Sequence, residues 1–175
     1  MHSITIISAT NRADSNTEKI SKYYLSALKN KGVDAGIFSL KDLPASILHS
    51  DLYGKRSEDF QKVIDTFIAS QNKFIFISPE YNGSFAGILK VFLDAVPPRI
   101  WTENKACLVG ISSGRAGNLR GMDDLTNILN YLKVNVYHNK IPISRVDTLL
   151  DATGNLTDTE TQKVIDMQLE GFLKF

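Results

Sequence analysis

Short apolar runs alternate along the chain with longer stretches in which apolar residues recur at helical spacing. Residues 3–8 (SITIIS) are β-branched and continuous, the pattern of a buried strand. Residues 15–31 follow, with Ile20, Tyr23, Tyr24, Leu25 and Leu28 at helical spacing. Ser15 reads as the N-cap of that helix, Glu18 as the second half of a capping box, and Gly32 as its stop. Residues 33–40 read as a second strand, and the polar, turn-rich residues 41–55 as a loop. Phe60, Val63, Ile64, Phe67 and Ile68 predict a helix over residues 57–71. A third strand covers residues 73–78 (KFIFIS), and a helix covers 84–96, stopped by Pro97-Pro98. Residues 105–112 (KACLVGIS) read as the fourth strand and 119–132 as the next helix, with Leu125, Ile128, Leu129 and Leu132 on one face. A fifth strand is expected over residues 135–142 and a closing helix over 158–173.

Strand and helix thus alternate five times, which predicts an α/β fold with a parallel sheet. The strands are continuous apolar runs, as expected when helices cover both faces. Right-handed crossovers favour a doubly wound sheet of five strands in the order 2-1-3-4-5. In such sheets ligands sit beyond the carboxyl ends of the strands, so chemistry is sought in the loops after strands one, three and four.

Composition narrows the class. A chain of 175 residues, 43% hydrophobic and 22% charged, is expected to form one globular domain spanning residues 1–175. Twenty basic against 19 acidic residues give a net charge of +1. That argues against a general nucleic-acid binder or an anionic-membrane binder. No apolar run reaches the roughly 18 residues of a membrane span. The opening Met1-His2-Ser3-Ile4 lacks a basic region followed by an apolar core, so no signal peptide is expected and a cytoplasmic location is the default. The single cysteine, Cys107, excludes an intramolecular disulfide framework and reads as a small buried strand residue. His2, His49 and His138 lack ligand spacing, so no metal site is expected.

The three loops carry the candidate chemistry. After strand one the chain reads Ala9-Thr10-Asn11-Arg12-Ala13-Asp14-Ser15-Asn16-Thr17. Short hydroxyl and amide side chains around one Arg, at the opening of a helix, suit a phosphate. An ordinary N-capped loop would look much the same. The run is neither a P-loop nor the glycine-rich dinucleotide fingerprint. After strand three comes Pro79-Glu80-Tyr81-Asn82-Gly83-Ser84-Phe85-Ala86-Gly87. This turn can lay backbone donors and acceptors along the edge of a flat heterocycle. Its ordinary reading is a strand-to-helix turn with Asn82-Gly83 at the corner and Ser84 as cap. After strand four, Ser112-Ser113-Gly114-Arg115-Ala116-Gly117-Asn118 combines glycines and serines that allow close backbone approach.

Together these residues resemble the NADPH-dependent FMN reductase family, flavodoxin-like enzymes related to bacterial quinone, chromate and azo-dye reductases. The family's first motif, G-S-x-R-x-x-S, is met by Thr10, Arg12 and Ser15, with Ala9 in place of Gly and Asn16-Thr17 where an Asn is usual. The specific motif is P-E-Y-N-x-S-x-P-G-x-L-K-N-x-x-D. Pro79, Glu80, Tyr81, Asn82, Ser84, Gly87, Leu89, Lys90 and Asp94 match it, with Ala86 for Pro and Val91 for Asn. The third, S-x-G-x-x-G-G, is met by Ser112, Gly114 and Gly117, with Asn118 for the last Gly. The resemblance covers most of the chain and is weakest after Pro142.

By this resemblance the cofactors are FMN and NADPH or NADH. Thr10, Arg12, Ser15, Asn16 and Thr17 would grip the FMN phosphate. Pro79, Glu80, Tyr81, Asn82, Gly83 and Ser84 would contact the isoalloxazine ring, largely through backbone. Ser112, Ser113, Gly114 and Gly117 would line its other side. The flavin carries the chemistry, so no catalytic side chain is expected. Hydride would pass from nicotinamide to flavin N5 and on to a quinone, free flavin or similar small-molecule acceptor in a ping-pong cycle. Tyr81 is the candidate wall of the nicotinamide site, and Arg115 and Arg120 are candidates for a 2′-phosphate. The resemblance also implies a homodimer or homotetramer, with the helix around residues 89–93 as candidate interface. Arg99-Ile100-Trp101 would rim a neighbour's pocket or pack locally. Lys90 and Asp94 are spaced to pair along a helix, and Asp123-Asp124 to complement a helix dipole. The departures at Ala9, Ala86 and Asn118 motivate the alternative of a flavodoxin-like protein that has weakened or lost flavin binding and acts through protein contacts.

Overall fold

Period-two alternation along the central strands decides the architecture. The computed structural model describes residues 3–53 and 55–175; Met1, His2 and Gly54 lie outside them. In β3 (Lys73–Pro79), Phe74 and Phe76 enter one core while Ile75 and Ile77 enter the other. Both faces of the strand are therefore buried, which requires helices on each side. β1 (Ile4–Ser8) lies between β3 and β2 (Ala35–Ser39), and β4 (Lys105–Ile111) flanks β3 on the far side, all in parallel. With β5 at Asn135–Val136, the order β2-β1-β3-β4-β5 agrees with the expected winding.

The first face is packed by α3 (Glu58–Val63), α4 (Gly87–Ala95) and α6 (Leu119–Tyr131). Phe60, Phe92 and Leu125 are fully buried there. Trp101 ends the short α5 (Pro98–Trp101) and is also fully buried, edge-on to Phe74 at 5.2 Å and to Phe92 at 6.1 Å. It packs locally. Pro97-Pro98 ends α4 as expected, and Pro98 then starts α5, since its fixed φ suits a first helical position. The second face is packed by α1 (Asn16–Asn30) and α7 (Thr159–Lys174), with Cys107 fully buried beneath them. Burial in this apolar layer pushes the Cys107 thiol far up, so it stays protonated.

Four elements depart from the sequence reading, each for a local reason. Residues 41–55 are not an open loop: 3₁₀ turns at Leu40–Asp42 and Ala45–Leu48 lead into α2 (Ser50–Tyr53). The buried Asp51 carboxylate gathers this segment, accepting from Ser46 Oγ at 2.6 Å, Ser57 N at 2.6 Å and Ser57 Oγ at 3.1 Å. The helix over 57–71 begins as predicted but widens into a π turn, Ile64–Ile68, closed by Ala69 N donating to Ile64 O. The helix expected from Ser84 starts at Gly87, because residues 81–84 form a tight hairpin instead.

The fifth strand is broken. β5 (Asn135–Val136) pairs with β4 at Lys105 and Ala106, the chain leaves the sheet, and β6 (Ile141–Ile143) rejoins β4 at Val109–Ile111. Gln168 of α7 fills the gap. Fully buried, it donates to Leu108 O at 3.2 Å and Asn139 O at 2.7 Å, and accepts from Tyr24 Oη at 2.7 Å. Leu108 thus obtains from a side chain the partner that the missing ladder rung cannot supply.

Candidate functional site

The loops after β1, β3 and β4 converge on one open cleft of about 750 Å³ at the carboxyl edge of the sheet. That volume lies in the usual range for small-molecule and cofactor sites. Arg12, Asp14, Ser15, Asn16 and Thr17 line one end. Ser15 caps α1 by accepting from Glu18 N at 3.2 Å. The amides of Asn16 and Thr17 precede the first intrahelical bond, so they have no partner within the helix and stand at its positive end, beside the cleft. The exposed Arg12 adds a cation. The capping box is half formed. The Glu18 carboxylate turns to Lys41 at 2.7 Å and Lys22 at 3.1 Å, and these bonds hold it below its usual range.

The wall after β3 is a two-residue hairpin. Tyr81 N donates to Ser84 O at 2.8 Å and Ser84 N to Tyr81 O at 3.1 Å. Asn82 and Gly83 both take positive φ, 52° and 79°, as a primed turn demands, and Asn-Gly is the pair best suited to it. Pro79, Glu80, Tyr81, Asn82 and Gly83 line the cleft. The Ser84 side chain turns away, its Oγ donating to Asp124 at 2.6 Å, so Ser84 neither caps α4 nor reaches the cleft wall. Asp123 and Asp124 sit past the first turn of α6, where one binds Lys140 at 2.7 Å and the other Ser84. They tie elements together and do not complement the helix end.

The third wall comes from Ser112, Ser113 and Gly114, with Ile111, Arg115 and Ala116 beside them. Gly117 lies behind, not on the wall. Its φ is +58°, and a Cβ there would approach Pro142 to 2.6 Å. Asn118 follows with φ 61°, a left-handed conformation that Asn tolerates in place of Gly. Its buried Nδ2 donates to Ser78 O and Pro79 O, each at 3.0 Å, and its amide donates to the Glu80 carboxylate at 3.3 Å. The departure at Asn118 therefore locks the end of β3 to the start of α6.

Three sequence-predicted residues are not brought to the cleft wall: Thr10, Ser84 and Gly117. Thr10 is buried, and its hydroxyl shares a 2.9 Å hydrogen bond with Tyr81 Oη while accepting from Arg12 N at 3.2 Å. The other twelve predicted residues line one cleft. Sequence reasoning missed Ile111, Val146 and Asp147 as lining groups; Asp14, Arg115 and Ala116 also line the cleft and lie in the loops that it singled out. Val146 and Asp147 belong to the 3₁₀ turn Val146–Thr148, which carries no motif and reaches the cleft only through tertiary folding. The turn docks by Val146 N donating to Ser112 O and Arg145 N to Gly114 O.

The donor set fits a phosphorylated planar heterocycle. One end offers a guanidinium, hydroxyls and helix-end amides for an anion. The hairpin and the serine-glycine turn offer main chain for a flat ring. Among the described residues no group of His, Cys, Asp or Glu could hold a metal ion, and no helix is long and apolar enough to cross a membrane.

This sheet order with its edge cleft defines a flavodoxin-like α/β protein. The chain superposes on the flavoenzyme NAD(P)H:(acceptor) oxidoreductase of Paracoccus denitrificans with a TM-score of 0.79, at 22% identity, covering 99% of this chain and 96% of that one. Residues 2–147 match the family model described as NADPH-dependent FMN reductase, and the chain belongs to that family. An NAD(P)H-dependent FMN reductase of Pseudomonas aeruginosa is 32% identical over 107 residues, 59% of this chain and 58% of that protein. A probable NADPH:quinone oxidoreductase of Oryza sativa subsp. japonica is 31% identical over 139 residues, 74% of this chain and 66% of that protein. The matches thus span somewhat less than two thirds of these two relatives.

Proposed function

We propose that the chain is an FMN-dependent NAD(P)H oxidoreductase that delivers electrons to a quinone, free flavin or similar small molecule. The observation that carries this reading is the single cleft that joins an anion-binding helix end to a main-chain hairpin. Arg12, Ser15, Asn16 and Thr17 would hold the phosphate. The backbone of residues 79–83 and of residues 112–114 would hold the ring from two sides. When bound, FMN supplies the hydride chemistry, taking two electrons from NAD(P)H and passing them on in a ping-pong cycle. The chain's own residues bind and orient. The Tyr81 hydroxyl, fixed on Thr10, holds its ring as a wall beside the hairpin. No side-chain acid or nucleophile is assigned. The proposal extends to a cytoplasmic homodimer or homotetramer with α4 at the contact.

A visible-absorbance titration with FMN, followed by anaerobic NADPH, tests the reading. Binding and then bleaching of the flavin band is expected. Absence of flavin binding would overturn it and favour a protein acting through protein contacts.

A further inference from the structure

A donor at the phosphate end, Asn16, and one from the loop after β4, Ser113, are already held by an anion of the protein. Asn16 Nδ2 donates to Asp147 Oδ1 at 2.6 Å, while Asn16 Oδ1 accepts from Lys19 Nζ at 3.2 Å. The Asn16 amide is therefore committed at both ends. Hydrogen bonds from Ser113 and Asn16 hold the Asp147 carboxylate below its usual range, so it is charged at neutral pH. Asp147 reaches across from the turn Val146–Thr148 and joins the loop after β1 to the loop after β4. A second carboxylate, Asp14, lines the same end.

We propose that Asp147 sets ligand specificity in the cleft, as a built-in anion that occupies a donor of the phosphate end, Asn16, and repels the phosphate of the ligand. This rests on the reading that the opening of α1 receives the FMN phosphate. A carboxylate hydrogen-bonded to the first residue of α1 lies within a few residue-widths of any anion held by that helix end. Like charges so placed act against each other, and water between them weakens the effect without abolishing it. The chain thus binds the phosphorylated flavin less selectively over riboflavin than its donor set alone would give. The feature is invisible in the motifs, because Asn16 and Ser113 read as ligand donors and Asp147 lies in the turn that carries none.

The test is a pair of fluorescence titrations, FMN and riboflavin, on the wild-type chain and on Asp147→Asn at low salt. The amide keeps an oxygen that can accept from Asn16, so the turn stays docked while the charge is removed. The expected result is FMN binding about tenfold tighter, with riboflavin binding unchanged. About 1 M salt should remove most of that gain, since the group is exposed. Asp147→Glu should restore wild-type discrimination. Equal changes for the two flavins, or no change for FMN, would overturn the role of Asp147 while leaving the oxidoreductase reading intact. If the wild-type and Asp147→Asn chains each bind FMN and riboflavin with the same affinity, the phosphate-end assignment and the inference fall together. Failure of the wild-type and variant chains to bind either flavin would overturn the proposed function itself, and with it the inference.

Discussion

Thr10 and Tyr81 show how one hydroxyl changes role once the chain is folded. Short and next to Arg12, Thr10 suits an anion; buried at 1% exposure and bonded to Tyr81 Oη, it serves as an anchor. Tyr81→Phe should cost about 1 kcal/mol of stability and loosen the hairpin, read as a lowered denaturant midpoint and faster amide exchange at residues 81–84. Arg12 keeps its expected place. Arg12→Ala should weaken FMN by about 1.5–3 kcal/mol, the scale of a hydrogen bond to a charged group, and leave riboflavin unaffected. Unchanged FMN affinity in the folded variant would remove Arg12 from the phosphate end. Asp51 makes a separate prediction in acid. Burial disfavours its charge, but bonds from Ser46 and Ser57 and the nearby Arg56 outweigh that and lower its pKa. A depressed folded pKa stabilises above the unfolded value and is lost as pH falls through the folded one. Wild-type stability should therefore drop below about pH 4, and Asp51→Asn should flatten that part of the profile measured by urea unfolding at stepped pH.

At the scale of elements, the helices and strands with strong period were legible and the devices that re-aim them were not. β1, β3, β4 and the start of α1 follow from local pattern: Ser15 caps where the sequence places it, and the helix read from residue 57 opens on a Ser57 cap. The broken fifth strand does not. The gap is filled by Gln168, far along the chain, whose amide offers β4 an alternative partner. Nor does the segment around Asp51, whose order comes from a carboxylate that reads as a surface charge. The same division holds at the site. Twelve of the expected residues share the cleft because they cluster in three loops that the sheet brings to one edge. Asp147 escaped because only the docking of residues 145–148 puts it there. Gln168→Leu should destabilise the chain by about 2 kcal/mol, since it leaves Leu108 O and Tyr24 Oη buried without this partner. The loss would be read as a denaturation midpoint shift with rapid exchange near residues 137–140.

Across the whole molecule the sheet divides two apolar layers, and each carries one built-in reporter. Trp101 lies in the layer with α3, α4 and α6; Cys107 lies in the layer with α1 and α7. If the layers fold as one cooperative unit, Trp101 fluorescence and Cys107 reactivity toward a thiol reagent should give the same denaturant midpoint. Separate midpoints would mean that one layer opens alone. The hairpin at residues 81–84 has a different consequence at this scale. It is closed by its own main chain, Tyr81 N to Ser84 O and Ser84 N to Tyr81 O, a pattern that is the same under most substitutions. A scan that exchanges side chains one by one would leave that pattern in place except at Asn82 and Gly83, while inserting or deleting a single residue would break it. This part of the pocket is therefore written in loop length and backbone handedness, and outside Asn82-Gly83 its tolerance to variation should be wide for letters and narrow for spacing.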